Sequence, residues 1–203
     1  MSRSARKSAQ ILATLAHEQG GYFTAKQAKE AGYGYRHLDY HETAGNFERV
    51  GHGLYRLPTI PVGEYDDLIR LSLWSRNQKD KPQAVISHQT ALVLHGLSEL
   101  LPGEVHFTAP PKFRKLEPKG CVLHKGVLAT NDTEEWAGFR VTTPLRTLLD
   151  VAETNISLEQ LVKAVDEALA RGLVRRKALD TALRRSVRRP QLEAALSRKK
   201  ATR

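Results

Sequence analysis

Residues 21–57, GYFTAKQAKEAGYGYRHLDYHETAGNFERVGHGLYRL, decide the fold. Thr24 followed by Gln27 is a capping box: the hydroxyl accepts a free N–H of a first helical turn while the amide reaches back to the cap. A short helix therefore begins at Ala25. It runs to Ala31 and stops at Gly32, whose missing Cβ lets the chain turn through a left-handed conformation at little cost. A second helix starts near Tyr35. Leu38 is its one strongly apolar residue and turns back on the first helix, leaving Tyr35, Arg36, Asp39 and Tyr40 on or near the outer face, with His37 between them.

Gly45 ends that helix. Phe47, Val50, Leu54, Tyr55 and Leu57 follow, broken by Gly51-His52-Gly53, which reads as two short strands joined at a glycine-rich tip. Helix, turn, helix and hairpin make a winged helix-turn-helix. Its second helix is shaped to enter a major groove, and Arg49, His52 and Arg56 decorate a wing placed for phosphate or the adjoining minor groove. The candidate DNA contacts are Thr24, Tyr35, Arg36, His37, Tyr40, Arg49, His52 and Arg56. A protein-binding module of the same shape is the competing reading, and the basic surface favours DNA.

Outward toward the N-terminus, Ala9, Ile11, Leu12, Leu15 and Ala16 recur at helical spacing from about residue 5 to 19, so a supporting helix buries one stripe against Leu38 and Phe23. Arg3, Arg6 and Lys7 before it form either an arm along DNA or a solvated end. The 203 residues carry a formal net charge of +10, which points to a polyanionic partner. That charge is uneven: +3 over residues 1–58, −1 over 59–135 and +8 over 136–203. A single cysteine, Cys121, excludes an internal disulfide framework and suits a reducing cytoplasm. Apolar runs are too short to span a bilayer, and no apolar leader begins the chain, so no membrane partner is expected.

Outward toward the C-terminus, Pro58-Thr59-Ile60-Pro61 disfavours helix and marks a boundary. Tyr65, Leu68, Ile69, Leu71, Leu73 and Trp74 give a helix over about 64–76. Ala84-Val85-Ile86 reads as a buried strand, Ser87 as the cap of a helix carrying Ala91, Leu92, Val93, Leu94 and Leu97 that Gly96 terminates, and residues 105–108, 121–124 and 139–142 as further strands. Thr143-Pro144 starts another helix, Ser157 with Gln160 caps the next, and a last amphipathic segment runs through Leu179, Leu183, Leu192 and Leu196. The expected class is α+β, with the winged helix over 1–58, a mixed α/β domain over 62–190 and a basic tail over 191–203. Arg175, Arg176, Arg184, Arg185, Arg188 and Arg189 form an auxiliary basic surface, read as DNA contact or as a docking face for an acidic protein.

Enzyme chemistry finds little support. His88 and His95 fall on one helix face and His106 and His124 on strands, but no pairing motif unites them for a metal. The acids Asp66, Asp67, Glu99, Glu104 and Asp132 form no recognisable nuclease cluster, and no glycine-rich phosphate loop follows a strand. No catalytic residue, cofactor or metal is expected. Arg146 and Asp150, four apart on a helix, are expected to pair.

The Gly-Leu-Tyr-Arg wing end at 53–56, the Ile86-Ser87-His88-Gln89-Thr90-Ala91-Leu92 block with Gly96-Leu97, the strand Val105-His106-Phe107-Thr108, and residues 141–150, VTTPLRTLLD, resemble the AbiEi family of bacterial antitoxins. The resemblance covers about residues 8–185. It implies a transcriptional autorepressor that binds inverted repeats in double-stranded DNA upstream of its own operon, as a monomer or weak dimer. It also implies a C-terminal domain that counters a cognate nucleotidyltransferase-like toxin of the AbiEii type, and no catalysis. A stand-alone DNA-binding regulator and a nucleic-acid-processing enzyme are the alternatives.

Overall fold

The computed structural model describes residues 3–99, 102–136, 138–185, 192–194 and 196, with only the backbone of Arg3, Ser4, Leu183 and Arg185. Cα packing divides the chain into two compact units, Met1–Ala84 with Glu135–Phe139, and Val85–Glu134 with Arg140–Arg203.

In the first unit, helix α1 (Arg3–Glu18) is followed by strand β1 (Tyr22–Thr24), helices α2 (Ala25–Glu30) and α3 (Tyr35–Thr43), strands β2 (Glu48–Gly51) and β3 (Leu54–Arg56), and helix α4 (Asp66–Trp74). Leu12 and Ala16 of α1, Ala28 of α2, Leu38 of α3, and Phe23, Phe47 and Tyr55 form one core. Leu38, 1% exposed, contributes ~1.5–3 kcal/mol through burial alone. Phe23 sits edge-on to Phe47 at 5.0 Å and stacks on Tyr55 at 5.7 Å. It does so from β1, which pairs antiparallel with β3 and makes the sheet three-stranded, order β1-β3-β2. With this extra strand β3 is central, paired along both edges.

Beyond β3 the chain stays attached to the same unit. Ile60 packs on the winged-helix core, and its amide donates to Leu57 O at 3.1 Å. Leu68, Ile69, Leu71 and Leu73 of α4 are buried. Polar bonds fasten the helix and the loop after it: Tyr22 Oη donates to Asp66 Oδ2 at 2.6 Å, Arg76 Nη2 to Gln19 Oε1 at 2.8 Å, and Thr24 Oγ1 to Asp80 Oδ2 at 3.2 Å. Burial and then the Asp66 hydrogen bond push the Tyr22 phenol up to about 12, so it remains the donor throughout the physiological range. Tyr65 meets Trp136 and Phe139 edge-on at 6.0 and 5.8 Å, which brings Glu135–Phe139 into this unit.

The second unit is the mixed α/β part. Its elements are β4 (Val85–Ile86), α5 (His88–Leu94), β5 (Val105–Ala109), β6 (Cys121–Lys125), β7 (Thr133–Trp136), β8 (Phe139–Thr142), α6 (Pro144–Val151), α7 (Leu158–Ala170) and α8 (Arg176–Arg185), with a 3-10 turn at Thr130–Asp132. The five strands run in the order β6-β5-β4-β8-β7. β4 is antiparallel to β5 and parallel to β8, and β5 is parallel to β6 with Thr108 opposite His124. Leu148 and Val151 of α6, Leu161 and Val165 of α7, Leu179 of α8, and Leu192 and Leu196 share the core.

Local signals start these helices. Thr143 Oγ1 accepts from Arg146 N with Pro144 in the first turn, and Ser157 Oγ from Gln160 N. Ser87 departs from expectation: it occupies the N-cap of α5 but makes no side-chain cap. Its hydroxyl is taken by Thr108 at 2.8 Å and His88 at 2.9 Å. Among the described residues no helix is long and apolar enough to cross a membrane.

Candidate nucleic-acid interface

The capping box forms as the residues dictate. Thr24 Oγ1 accepts from Gln27 N at 3.1 Å, and Gln27 Oε1 from Thr24 N at 2.8 Å. Thr24 is therefore a buried scaffold residue, 8% exposed. Gly32, at φ +101, makes the turn between α2 and α3, and a Cβ there would lie 2.6 Å from Ser8 Oγ. A side chain there is strained on both grounds.

On α3, Leu38 faces inward and the opposite side is open. Tyr35 is 71% and Tyr40 66% exposed, with Arg36 and His37 exposed beside them. His37 Nδ1 accepts the Gly34 amide at 3.3 Å, so its ring is partly committed to holding the helix start. Lys29 of α2 lies 6.0 Å over the Tyr35 ring, a cation the sequence reading passed over because it belongs to the preceding helix. His41 was also missed. It stacks on Phe47 at 4.7 Å and sits edge-on to Tyr33 at 5.5 Å, bracing α3 against the wing. Burial, then the neighbouring His37, hold its pKa below the usual imidazole value.

The wing tip is tied to the first helix of the motif, since Ala25 N donates to Gly53 O at 2.8 Å. Arg49 and His52 are exposed. Arg56 is not: it is 8% exposed, opposite Glu48 in the strand register, with its guanidinium 3.7 Å from the Glu48 carboxylate and donating to Ile60 O. Its guanidinium is held between Glu48 on β2 and the carbonyl of Ile60 just beyond β3. The structure thus brings Tyr35, Arg36, His37 and Tyr40 together on α3 and leaves Arg49 and His52 on the wing, while Thr24 and Arg56 point inward.

The remaining candidates lie in the second unit. His88 stacks on His124 with ring centroids 3.5 Å apart, and His106 Nδ1 lies 3.0 Å from His124 Nε2. The rings lie face to face rather than converging on a point, and among the described residues no group of three or more His, Cys, Asp or Glu is disposed to hold a metal ion. His95 is separate, with Nε2 2.7 Å from Thr142 O. Arg146 Nε donates to Asp150 at 2.7 Å and its Nη1 to Asp132 at 3.0 Å. Burial works against its charge, but the two carboxylates outweigh it and hold the guanidinium above its usual pKa. Of the auxiliary basic surface, Arg175 and Arg184 are exposed and Arg176 lies 3.3 Å from Asp180. The Arg185 side chain, Arg188 and Arg189 lie outside the described residues.

Residues 10–58 match the family described as "Transcriptional regulator, AbiEi antitoxin", and residues 83–195 the "AbiEi antitoxin C-terminal domain". No curated protein matches. Among solved structures, the RV2827C protein from Mycobacterium tuberculosis is similar at a TM-score of 0.59 and 16% identity, over 95% of this chain and 76% of that one. That likeness speaks for the fold alone. The matched domains point to a non-enzymatic role. With a winged helix-turn-helix under the first match and the mixed α/β unit under the second, the chain belongs to the AbiEi family and is a DNA-binding antitoxin.

Proposed function

We propose that the protein represses its own operon by binding inverted repeats upstream of it, and that it counteracts a cognate nucleotidyltransferase-like toxin of the AbiEii type in the cytoplasm. Residues 1–58 are the DNA-reading module, residues 62–190 the antitoxin domain and 191–203 a basic tail. The observation that carries the DNA reading is the open side of α3: two tyrosines more than 60% exposed flank an exposed Arg36 while Leu38 is sealed in the core. Large aromatics left mostly in water beside a cation, with only His41 edge-on to Tyr40 and Lys29 over Tyr35, match what base and phosphate contacts require. Arg49 and His52 add phosphate contacts from the wing. The protein acts as a monomer or weak dimer on DNA.

The test is a gel shift with the DNA immediately upstream of the gene against random DNA, repeated with magnesium. A preferential shift without cleavage is expected. Arg36→Ala costs ~1–3 kcal/mol on the operator and relaxes specificity at one position of each half-site. An equal loss on operator and random DNA removes Arg36 from the reading set, and magnesium-dependent cleavage replaces the regulator with an enzyme.

A further inference from the structure

In the first unit, the start of α2 is held from a segment that lies outside the winged helix. After α4 the chain makes a short loop over residues 77–81 that is closed on itself. Asn77 Oδ1 accepts the amides of Lys79 and Lys81 at 2.9 and 3.1 Å, and Asp80 N donates to Asn77 O at 2.9 Å. Asp80 turns the loop at φ +61, a left-handed backbone that Asp adopts more readily than most residues. The loop thereby presents the Asp80 carboxylate to α2. Its Oδ2 accepts from Thr24 Oγ1 at 3.2 Å and from Arg76 Nη1 at 3.3 Å.

Arg76 carries the connection further. Its Nη2 donates to Gln19 Oε1 at 2.8 Å, and the Gln19 and Gln27 amides bond each other in both directions, at 3.1 and 3.3 Å. Gln27 closes the capping box on Thr24, so Asp80, Arg76, Gln19, Gln27 and Thr24 form a ring in which each bonds the next. The Arg76 side chain is only 12% exposed, which keeps it from phosphate; burial depresses its pKa and Asp80 opposes that effect. The ring closes where the two parts of the reading head meet. Thr24 caps α2, which leads through the Gly32 turn into α3, and next to it Ala25 N donates to Gly53 O at the wing tip.

We infer that Arg76 and Asp80 are positioning residues for operator recognition: acting through Gln27 and Thr24 they hold the start of α2, and with it α3 and the wing tip, in the arrangement that reaches one duplex. The part of the chain that reads DNA therefore extends past the winged helix to residue 80. Charge gives this role a distinctive sign. Removing Asp80 takes an acid from a chain of net charge +10, which by electrostatics alone tightens binding to any DNA, whereas removing Arg76 weakens it. Positioning makes the two changes act alike, and on the operator alone. This role rests on the operator binding proposed above.

The test compares affinity of the full chain for the DNA immediately upstream of the gene and for a random duplex of equal length, across a range of salt, with thermal melts and amide exchange alongside. Asp80→Gly removes the carboxylate and suits the left-handed backbone, Arg76→Met keeps the apolar stem without the donors, and Asp80→Asn keeps an acceptor for Thr24. The first two are each expected to lower operator affinity about tenfold, the upper end of what one hydrogen bond contributes. Affinity for random DNA does not fall, the salt slope stays in place, the double variant is less than additive, and the Ala25 amide exchanges faster. Asp80→Asn stays near the wild type. Asn77→Ala, an exposed change that opens the loop, gives a smaller shift of the same kind and decides the matter if Asp80→Gly melts below the assay temperature. Melting points that fall while the operator-to-random ratio holds make the ring purely structural and overturn the inference. Loss on both DNAs with Arg76→Met and gain on both with Asp80→Gly overturn it in favour of bare electrostatics. A wild type with no preference for the upstream DNA removes operator binding itself, and the positioning role with it.

Discussion

The most exacting prediction concerns acid and His88. This residue adopts φ +52, a left-handed conformation costly for a side chain other than Gly, Asn or Asp. Its ring lies buried against His124 at 3.5 Å, its Nδ1 is 2.9 Å from Ser87 Oγ, and that hydroxyl already receives a bond from Thr108 at 2.8 Å. The Ser87 proton is thereby directed at Nδ1, which favours the neutral ring. Burial, then His124, His106 and Arg146, push the His88 pKa from 6.5 down to about 3. The unfolded chain takes up this proton near pH 6.5 and the folded chain does not, so the stabilisation is complete above pH 6.5 and lost as pH falls toward 3. From 6.5 to about 3, at ~1.36 kcal/mol per pH unit, the loss reaches about 5 kcal/mol. That equals the whole stability of a marginal domain, at ~5–15 kcal/mol. His106 and His124 are also held below the usual value by burial, with Glu104 acting in the opposite direction on His106.

Neither tryptophan, Trp74 of α4 or Trp136 of β7, lies in β4 or α5, so fluorescence does not report on the His88 site directly. The assay is amide hydrogen exchange of β4 and α5 between pH 7 and pH 4, corrected for intrinsic rates, with NMR titration of the His88 ring. Protection is expected to fall steeply with acid, and His88→Asn to flatten that fall by about one proton, since Asn tolerates the left-handed backbone and does not titrate. A His88 resonance titrating near 6.5, or an unchanged slope in the variant, refutes the reasoning.

Two further outcomes follow from the first unit. Gly32→Ala forces a Cβ to within 2.6 Å of Ser8 Oγ at φ +101; it lowers stability by ~1–3 kcal/mol, and adding Ser8→Ala recovers only the steric part, as thermal melts of the full chain will show. Arg49→Gln reduces the slope of log K against log salt by ~0.9 with specificity intact, whereas Arg56→Gln lowers the melting temperature through the lost Ile60 bond and leaves the slope in place. Equal slope changes for the two would mean that Arg56 reaches the DNA backbone.

What was legible in the sequence is what depends on neighbours along the chain. The Thr24/Gln27 box, the Gly32 turn, the inward Leu38 and the Thr143-Pro144 helix start are all decided within four residues. The Arg146–Asp150 pair is likewise local, at i,i+4. Pairing between distant strands hid the rest. Tyr22–Thr24 has only three residues and becomes a strand because β3 is beside it, while Arg56 is held by the Ile60 carbonyl and Glu48. β7 reads Thr-Glu-Glu-Trp, with no alternation to announce it. His88, His106 and His124 are separated by 18 residues at each step and meet because β4 pairs with β5 and β5 with β6. Their spacing gave no pairing motif and no sign that they meet, and the registers stack their rings.

The same distinction governs the charge. A net +10 implies a uniformly polyanion-seeking surface only if the cations are free in water, and here several are not. Arg56 is bonded to Ile60 and opposite Glu48, Arg76 joins Asp80 and Gln19, and Arg146 joins Asp132 and Asp150. A buried guanidinium without such partners costs several kcal/mol, so each is held by acceptors that cancel its reach toward DNA. Among the α3 and wing cations of the DNA-reading unit, this leaves Arg36 and Arg49 exposed, with Lys29 beside Tyr35. With Arg36 given to base reading, Arg49 and Lys29 as phosphate contacts would give a salt slope of only about −2 per copy. On the function proposed above, a grip that weak would not hold an operator through charge alone; the open tyrosines and Arg36 would then carry the discrimination, and two half-sites of an inverted repeat would supply the affinity that one copy lacks.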